Sequence, residues 1–244
     1  MKRIMPTRAL AGFLLFAAAV EIAVAGAFAV NPVRLSLSDE HRVEAVTVRN
    51  QGQEAAVVQM ETAVWTQAGG QDVYSPTREI LVTPPIFTVP AGGSQIVRVG
   101  LRRAVDVRRE LAYRLFFQEV PPPPKPGQRG LRVALRIGVP VFVPVATTSP
   151  PALRWQLAQT APGVFQVDAV NVGNSHVRVM GLKLSPIDGD RTMSARGVSG
   201  VLLAGQGRSW QVDLDEPIIR NSIRVTADTG DGEVDGGIIP VQAR

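Results

Sequence analysis

Three observations predict an all-β chain arranged as two sandwich domains. Short runs with apolar side chains on every second residue recur along the sequence, and a period of two is the signature of half-buried strands. Turn residues separate these runs at regular spacing, with 23 glycines and 19 prolines among 244 residues. A stiff cluster, Pro144–Pro151, then divides the strand pattern into two parts, which places a domain boundary there. The expected domains are residues 30–147 and 148–244.

In the first part, Val43–Asn50 alternates and ends in the turn Asn50-Gln51-Gly52. Ala55–Trp65 leads to a turn at Gly69-Gly70, and Ile80–Pro90 is an apolar piece broken by Pro84-Pro85. Ser94–Leu101 and Leu111–Val120 are further strands, and Arg102–Glu110 between them is the one segment suited to a short helix. In the second part, strands are expected at Leu153–Trp155, Val164–Asn171, Val177–Leu184, Val201–Leu203, Trp210–Leu214, Ile223–Ala227 and Ile238–Val241. Many short strands with Gly and Pro turns are the pattern of a sandwich.

One stretch differs from the rest. Leu131, Val133, Leu135, Ile137, Val139, Val141 and Val143 occupy every second position, and proline-rich loops bracket the run. Pro140 lies inside it, and proline cannot donate to a strand ladder. One side of this strand therefore lacks a partner for part of its length. Proteins normally cover a long apolar edge, so either another element lies on it or a second chain pairs there.

Residues 1–29 read as a secretory signal peptide. Lys2, Arg3 and Arg8 precede the apolar run A-G-F-L-L-F-A-A-A-V, and Ala27-Phe28-Ala29 offers a cleavage site, with Ala23-Val24-Ala25 as an upstream alternative. Cleavage near Ala29 makes the mature chain an exported one. Losing Lys2, Arg3, Arg8 and Glu21 leaves 23 basic and 20 acidic residues. That small excess is scattered, which argues against nucleic-acid binding. No later run is long and apolar enough for stable membrane insertion. With no cysteine, thiolate zinc sites and thiol redox chemistry are excluded.

The motifs that suggest catalysis read better as turns. Asp228-Thr229-Gly230 matches an aspartic-protease triplet once, where two copies must share a proton. Asp231–Gly236 has a calcium-loop glycine, but Gln242 stands where a bidentate glutamate is needed. His41 and His176 are the only neutral-pH bases, both expected at the surface, and no nucleophile motif accompanies them. Catalytic residues, metal and cofactor are all expected to be absent.

Several segments in order carry a resemblance. T-P-P-I-F-T-V-P-A-G from Thr83 leads into Gln95–Val99. Glu110–Pro121, containing Y-R-L-F-F-Q-E-V-P, then precedes the alternating strand. This series resembles the periplasmic chaperones of the chaperone–usher pilus pathway. P-V-F-V at Pro140–Val143 and N-V-G-N-S-H-V-R at Asn171–Arg178 are most similar to its archaic branch. The resemblance implies two immunoglobulin-like sandwiches set at an angle with a cleft between them, and a cis proline after Thr83. It further implies a non-enzymatic chaperone that lends a strand to pilin subunits and delivers them to an outer-membrane usher. Leu131, Val133, Leu135 and Ile137 would be the lent side chains, acting by β-strand addition.

The family also holds the subunit's terminal carboxylate with two cations. Arg34, in N-P-V-R-L-S-L, matches the first, and its planar fork suits a carboxylate. The second, a lysine late on the lent strand, is replaced here by Pro140, or by Gly138 in a shifted alignment. Arg98 is a candidate substitute whose place the sequence alone does not fix. The rival reading is an exported two-domain adhesin or pilus component.

Overall fold

The computed structural model describes residues 28–122, 133–186, 193–195, 197–214 and 222–243. The expected signal peptide up to residue 27, and Leu131, lie outside these residues. Every helix or strand among them is a strand, eighteen in all.

The first domain contains β1 (Phe28–Asn31), β2 (Leu35–Ser36), β3 (Val43–Asn50), β4 (Ala56–Ala68), β5 (Gln71–Pro76) and β6 (Ile80–Thr83). It continues with β7 (Ile86–Val89), β8 (Ser94–Leu101), β9 (Leu111–Val120) and β10 (Arg136–Val143). They form two facing sheets, ordered β1-β3-β8-β6 and β2-β10-β9-β4-β5, with β7 also on β4. Alternation decides which side chains meet between them. Val46, Val48, Val97 and Val99 come from one sheet and Val58, Leu115, Phe117 and Val141 from the other, all 0 % exposed. Burying each such side chain contributes roughly 1.5–3 kcal/mol.

The chain changes sheet near its start. β1 pairs with β3, the Asn31–Pro32 peptide is cis, and β2 then pairs parallel with β10 in the other sheet. The Thr83–Pro84 peptide is cis as well, as the resemblance implied. Arg102–Glu110 is not a helix. It is a loop with Val105 packed on the core, and Arg108 N–H donates to Asp106 Oδ1 at 2.8 Å. That bond holds the Asp106 carboxyl below its ordinary range. One tertiary and one local anchor together displace the weak helical preference of nine residues.

The second domain contains β11 (Leu153–Ala161), β12 (Val164–Asn171), β13 (Val177–Pro186), β14 (Met193–Ala195) and β15 (Gly200–Leu202). β16 (Gly207–Asp213), β17 (Ser222–Thr229) and β18 (Gly232–Ala243) complete it. β18 pairs antiparallel with β17 and parallel with β11, so it joins two layers around one core. Leu157, Phe165 and Val167 meet Leu184, Ile223 and Val225 in that core. Asp228-Thr229-Gly230 closes the β17–β18 hairpin, where Thr229 Oγ1 donates to the Gly232 carbonyl at 2.6 Å.

Two polar clasps and one apolar cluster join the domains. Trp65, Ala112 and Phe142 pack against Leu203 of the second domain. On one side of this cluster the Gln67 amide donates to the Val201 carbonyl at 2.6 Å and to Asp72 at 2.9 Å, and accepts from Leu203 N–H at 3.1 Å. A Cβ on Gly70 would stand 2.8 Å from Ser209 Oγ, so the β4–β5 turn needs glycine there for the domains to approach. The other clasp corrects an expectation. His176 is not a surface residue: its Nδ1 lies 2.6 Å from Glu110 Oε1, with side chains 12 % and 6 % exposed. The same carboxylate accepts from His176 N–H at 3.0 Å, and Glu110 N–H donates to the Asn174 carbonyl at 2.8 Å.

Candidate functional site

The site begins with the backbone of β10. Glu119 N–H donates to the Leu135 carbonyl at 2.8 Å, and β10 and β9 pair in continuous register from Arg136↔Gln118 to Val143↔Leu111. In an antiparallel ladder, residues that bond the neighbour alternate with residues whose N–H and C=O face away. Odd-numbered residues of β10 therefore bond β9, and even-numbered ones face the opposite edge. Leu37 N–H donates to the Phe142 carbonyl across that edge at 2.9 Å, in agreement. Among the described residues, the edge is covered by β2 alone, and only at Val141 and Phe142. Arg136 and Gly138 thus present N–H and C=O to an open edge. Pro140, whose missing N–H would face the same way, leaves the β9 ladder intact.

The side chains follow the same parity. Val139, Val141 and Val143 point into the core, and Leu135 and Ile137 extend that row, half-buried against it. Val133 is 51 % exposed. The row of Val133, Leu135 and Ile137 is therefore continuous with the core row and is most exposed at its far end.

The opposite face of β10 carries aromatics and arginines. Arg34 immediately precedes Leu35, which pairs with Val141, so it emerges alongside Pro140. Its Cζ lies 4.9 Å from the Phe142 ring centroid, and His176 stacks on that ring at 3.8 Å. Arg114 pairs directly with Pro140 from β9. Its Cζ lies 4.6 Å over Trp65 and 5.8 Å from Tyr74. The row Arg34–Pro140–Arg114 thus sets two guanidinium-bearing residues on either side of a chargeless position, two strand spacings or about 10 Å apart. Cation–π contact holds each head in place without neutralising it.

Arg98 is not part of this row. It lies on β8 in the other sheet, between Ala45 and Thr83, and points outward because Val97 and Val99 point in. A strand's alternation fixes that direction, so Arg98 cannot act with Arg34. Arg114 was missed because only the β9–β10 register brings it to Pro140. The sequence signal was there: Tyr113-Arg114-Leu115 alternates, which sends Arg114 away from the core.

Residues 27–147 match the family model for the pili and flagellar-assembly chaperone, PapD N-terminal domain. The chain belongs to this family of pilus-assembly chaperones. The family is one of chaperones, not of enzymes. Over about nine-tenths of its length the chaperone also resembles solved structures. The chaperone in the CsuC–CsuE pre-assembly complex of archaic Csu pili from Acinetobacter baumannii is 19 % identical, with TM-score 0.65, over 89 % of this chain and 99 % of that one. The E. coli chaperone DraB is 15 % identical, with TM-score 0.57, over 90 % and 98 %. The Salmonella enterica complex of SafA pilin with the SafB chaperone matches at 15 % identity and TM-score 0.57, over 88 % and 95 %. At these identities the likeness carries the two-domain fold. No curated protein matches the chaperone in sequence.

Proposed function

We propose that this chain is a periplasmic chaperone that captures a pilus subunit by pairing the open edge of β10 with a strand of that subunit, and then passes it to an outer-membrane usher. The observation that carries the reading is the half-covered edge of β10. Its outward N–H and C=O groups lie beside an apolar row that runs out from the core, which suits strand addition. Val133, Leu135 and Ile137, with Leu131 before them, fill the subunit's groove. Arg34 and Arg114 together hold its terminal carboxylate.

The test is co-purification with candidate pilins expressed in the same periplasm. The wild type is expected to retain its subunit. Val133→Asp should lose it, because an anion entering a dry groove unpaired costs about 2 kcal/mol or more. The chaperone's own melting temperature should stay within a few degrees, since Val133 is exposed. Normal capture by Val133→Asp would sink the strand reading.

Burial also bears on export. Phe28 is 5 % exposed and pairs within β1, so cleavage after Ala29 would remove a core side chain. Mass spectrometry of the mature protein should find its first residue at or before Phe28, which favours the upstream Ala23-Val24-Ala25 site.

A further inference from the structure

The row of Leu135 and Ile137 uses one face of the open edge, and on the outward face only the row at Pro140 has been given a role. A strand paired to β10 sets its side chains beside those of β10, residue by residue, on both faces. On the outward face, Gly138 offers no side chain. A Cβ built there would lie 3.3 Å from Cε1 of Phe116 and 3.4 Å from Arg114 Nε. Close packing of these two explains the glycine as a structural feature. It also means that Gly138 sets no side chain of its own between the open edge and the Phe116 ring.

The next outward residue along the edge is Arg136. Its Cζ lies 3.9 Å over the Phe116 centroid, and its Nη2 donates to Glu61 at 2.8 Å. Both partners of that pair are 49 % exposed, so the bond is worth little and is open to exchange. Behind it is an open pocket of about 320 Å³ lined by Glu61, Ala63, Tyr74, Pro76, Phe116 and Arg136, among others. Three arginines, Arg34, Arg114 and Arg136, border this face; Glu61 is the carboxylate paired with Arg136, while Glu110 and Asp72 lie toward the second domain, against His176 and Gln67.

Resting on the strand-capture reading, we infer that the open edge also selects its subunit by two outward-facing side chains of the incoming strand. One is aromatic or large and apolar, and lies beside Gly138. The other is acidic and lies beside Arg136. An aromatic side chain stabilises a strand when it covers an edge glycine of its neighbour. Here it also reaches the exposed flank of Phe116 and completes an edge-to-face cluster with Tyr74, whose ring lies 5.3 Å away at 87°. An acidic side chain beside Arg136 stands at cross-strand distance and takes the guanidinium from Glu61. Subunit choice then depends on the face that the groove-filling residues do not use.

The test uses the mature chaperone and synthetic nine-residue peptides with a free carboxylate. Each peptide has valine at every inward position and threonine at the outward ones. At the outward positions two and four residues before the one beside Pro140, threonine is exchanged for Phe and for Asp or Lys. Fluorescence anisotropy measures binding. Phe beside Gly138 is expected to strengthen binding about fivefold over threonine, and Asp beside Arg136 about fivefold over Lys. Arg136→Glu should reverse the Asp–Lys preference and leave the Phe preference, while Gly138→Val should remove the Phe preference alone. Equal affinity for all peptides overturns outward selection and leaves strand capture standing. Binding by no peptide overturns strand capture and, with it, this inference.

Discussion

The two halves of β10 share one strand, one parity and one core row, yet only one half is finished. At Val141 and Phe142 the strand has β9 on one side and β2 on the other, and its side chains are buried. Among the described residues, it has β9 alone from Arg136 to Pro140. The difference arises from the neighbour rather than from β10. The chain enters β2 only after crossing from the other sheet at Asn31–Pro32, so β2 is two residues long and covers only the far end. An open edge here follows from a short strand elsewhere.

Substitutions at equivalent positions in the two halves should break this comparison most sharply. Val141→Asp buries an unpaired carboxylate between two sheets, which costs more than about 4 kcal/mol and should leave no soluble chaperone. Val133→Asp, in the same row, should yield normal amounts of folded protein that captures no subunit. Leu135→Asp and Ile137→Asp should fall between, because both side chains pack on the core; their melting temperatures by circular dichroism should drop by several degrees.

Proline replacement sharpens the comparison within the open half. Ile137 bonds β9, so Ile137→Pro removes a ladder bond and should destabilise by about 3 kcal/mol. Gly138 faces the open edge, so Gly138→Pro leaves the β9 ladder intact, removes the donor offered to an incoming strand and sets its ring against Phe116 and Arg114. It should keep a cooperative melt and bind a subunit about tenfold more weakly. A Gly138→Pro variant that captures normally would show that the subunit binds elsewhere.

The anchor row gives a smaller, graded effect. Arg34→Ala and Arg114→Ala should each weaken capture by roughly tenfold or more, and the double variant should lose less than the product, since the two share one carboxylate. Arg98→Ala, on the far sheet, should bind as the wild type does. Smallest of all is Glu61→Gln. It removes an exposed pair worth about 0.5 kcal/mol, so its effect on the melt should be close to the error of measurement.

Much of this was legible in the sequence because β structure writes its two faces directly. Val43–Asn50, Ser94–Leu101 and Leu111–Val120 are the observed β3, β8 and β9, and the uncovered side of the Leu131–Val143 stretch followed from Pro140 alone. What escaped were facts of register and of domain contact. Arg114 lies opposite Pro140 only through the β9–β10 register, with twenty-five residues of chain between them. His176 looked exposed because its neighbours Asn174 and Ser175 favour turns, and only the second domain's position against Glu110 buries it. The loop at 102–110 read as a helix because its anchors, Val105 on the core and Asp106 on Arg108, are tertiary or fall below the span of a helical period.

The short β2 has a further consequence. A β pairing that slips by one residue turns every side chain to the wrong face, and an open edge with uniform valine-like neighbours offers little to prevent it. Here the edge has an end. The chain's own Leu35 and Ser36 occupy the next two places, and Pro140 denies a donor at the last free one. A guest strand that advances until it meets this stop has its alignment set by length, before any side chain is compared. The edge therefore works as a ruler with a fixed zero.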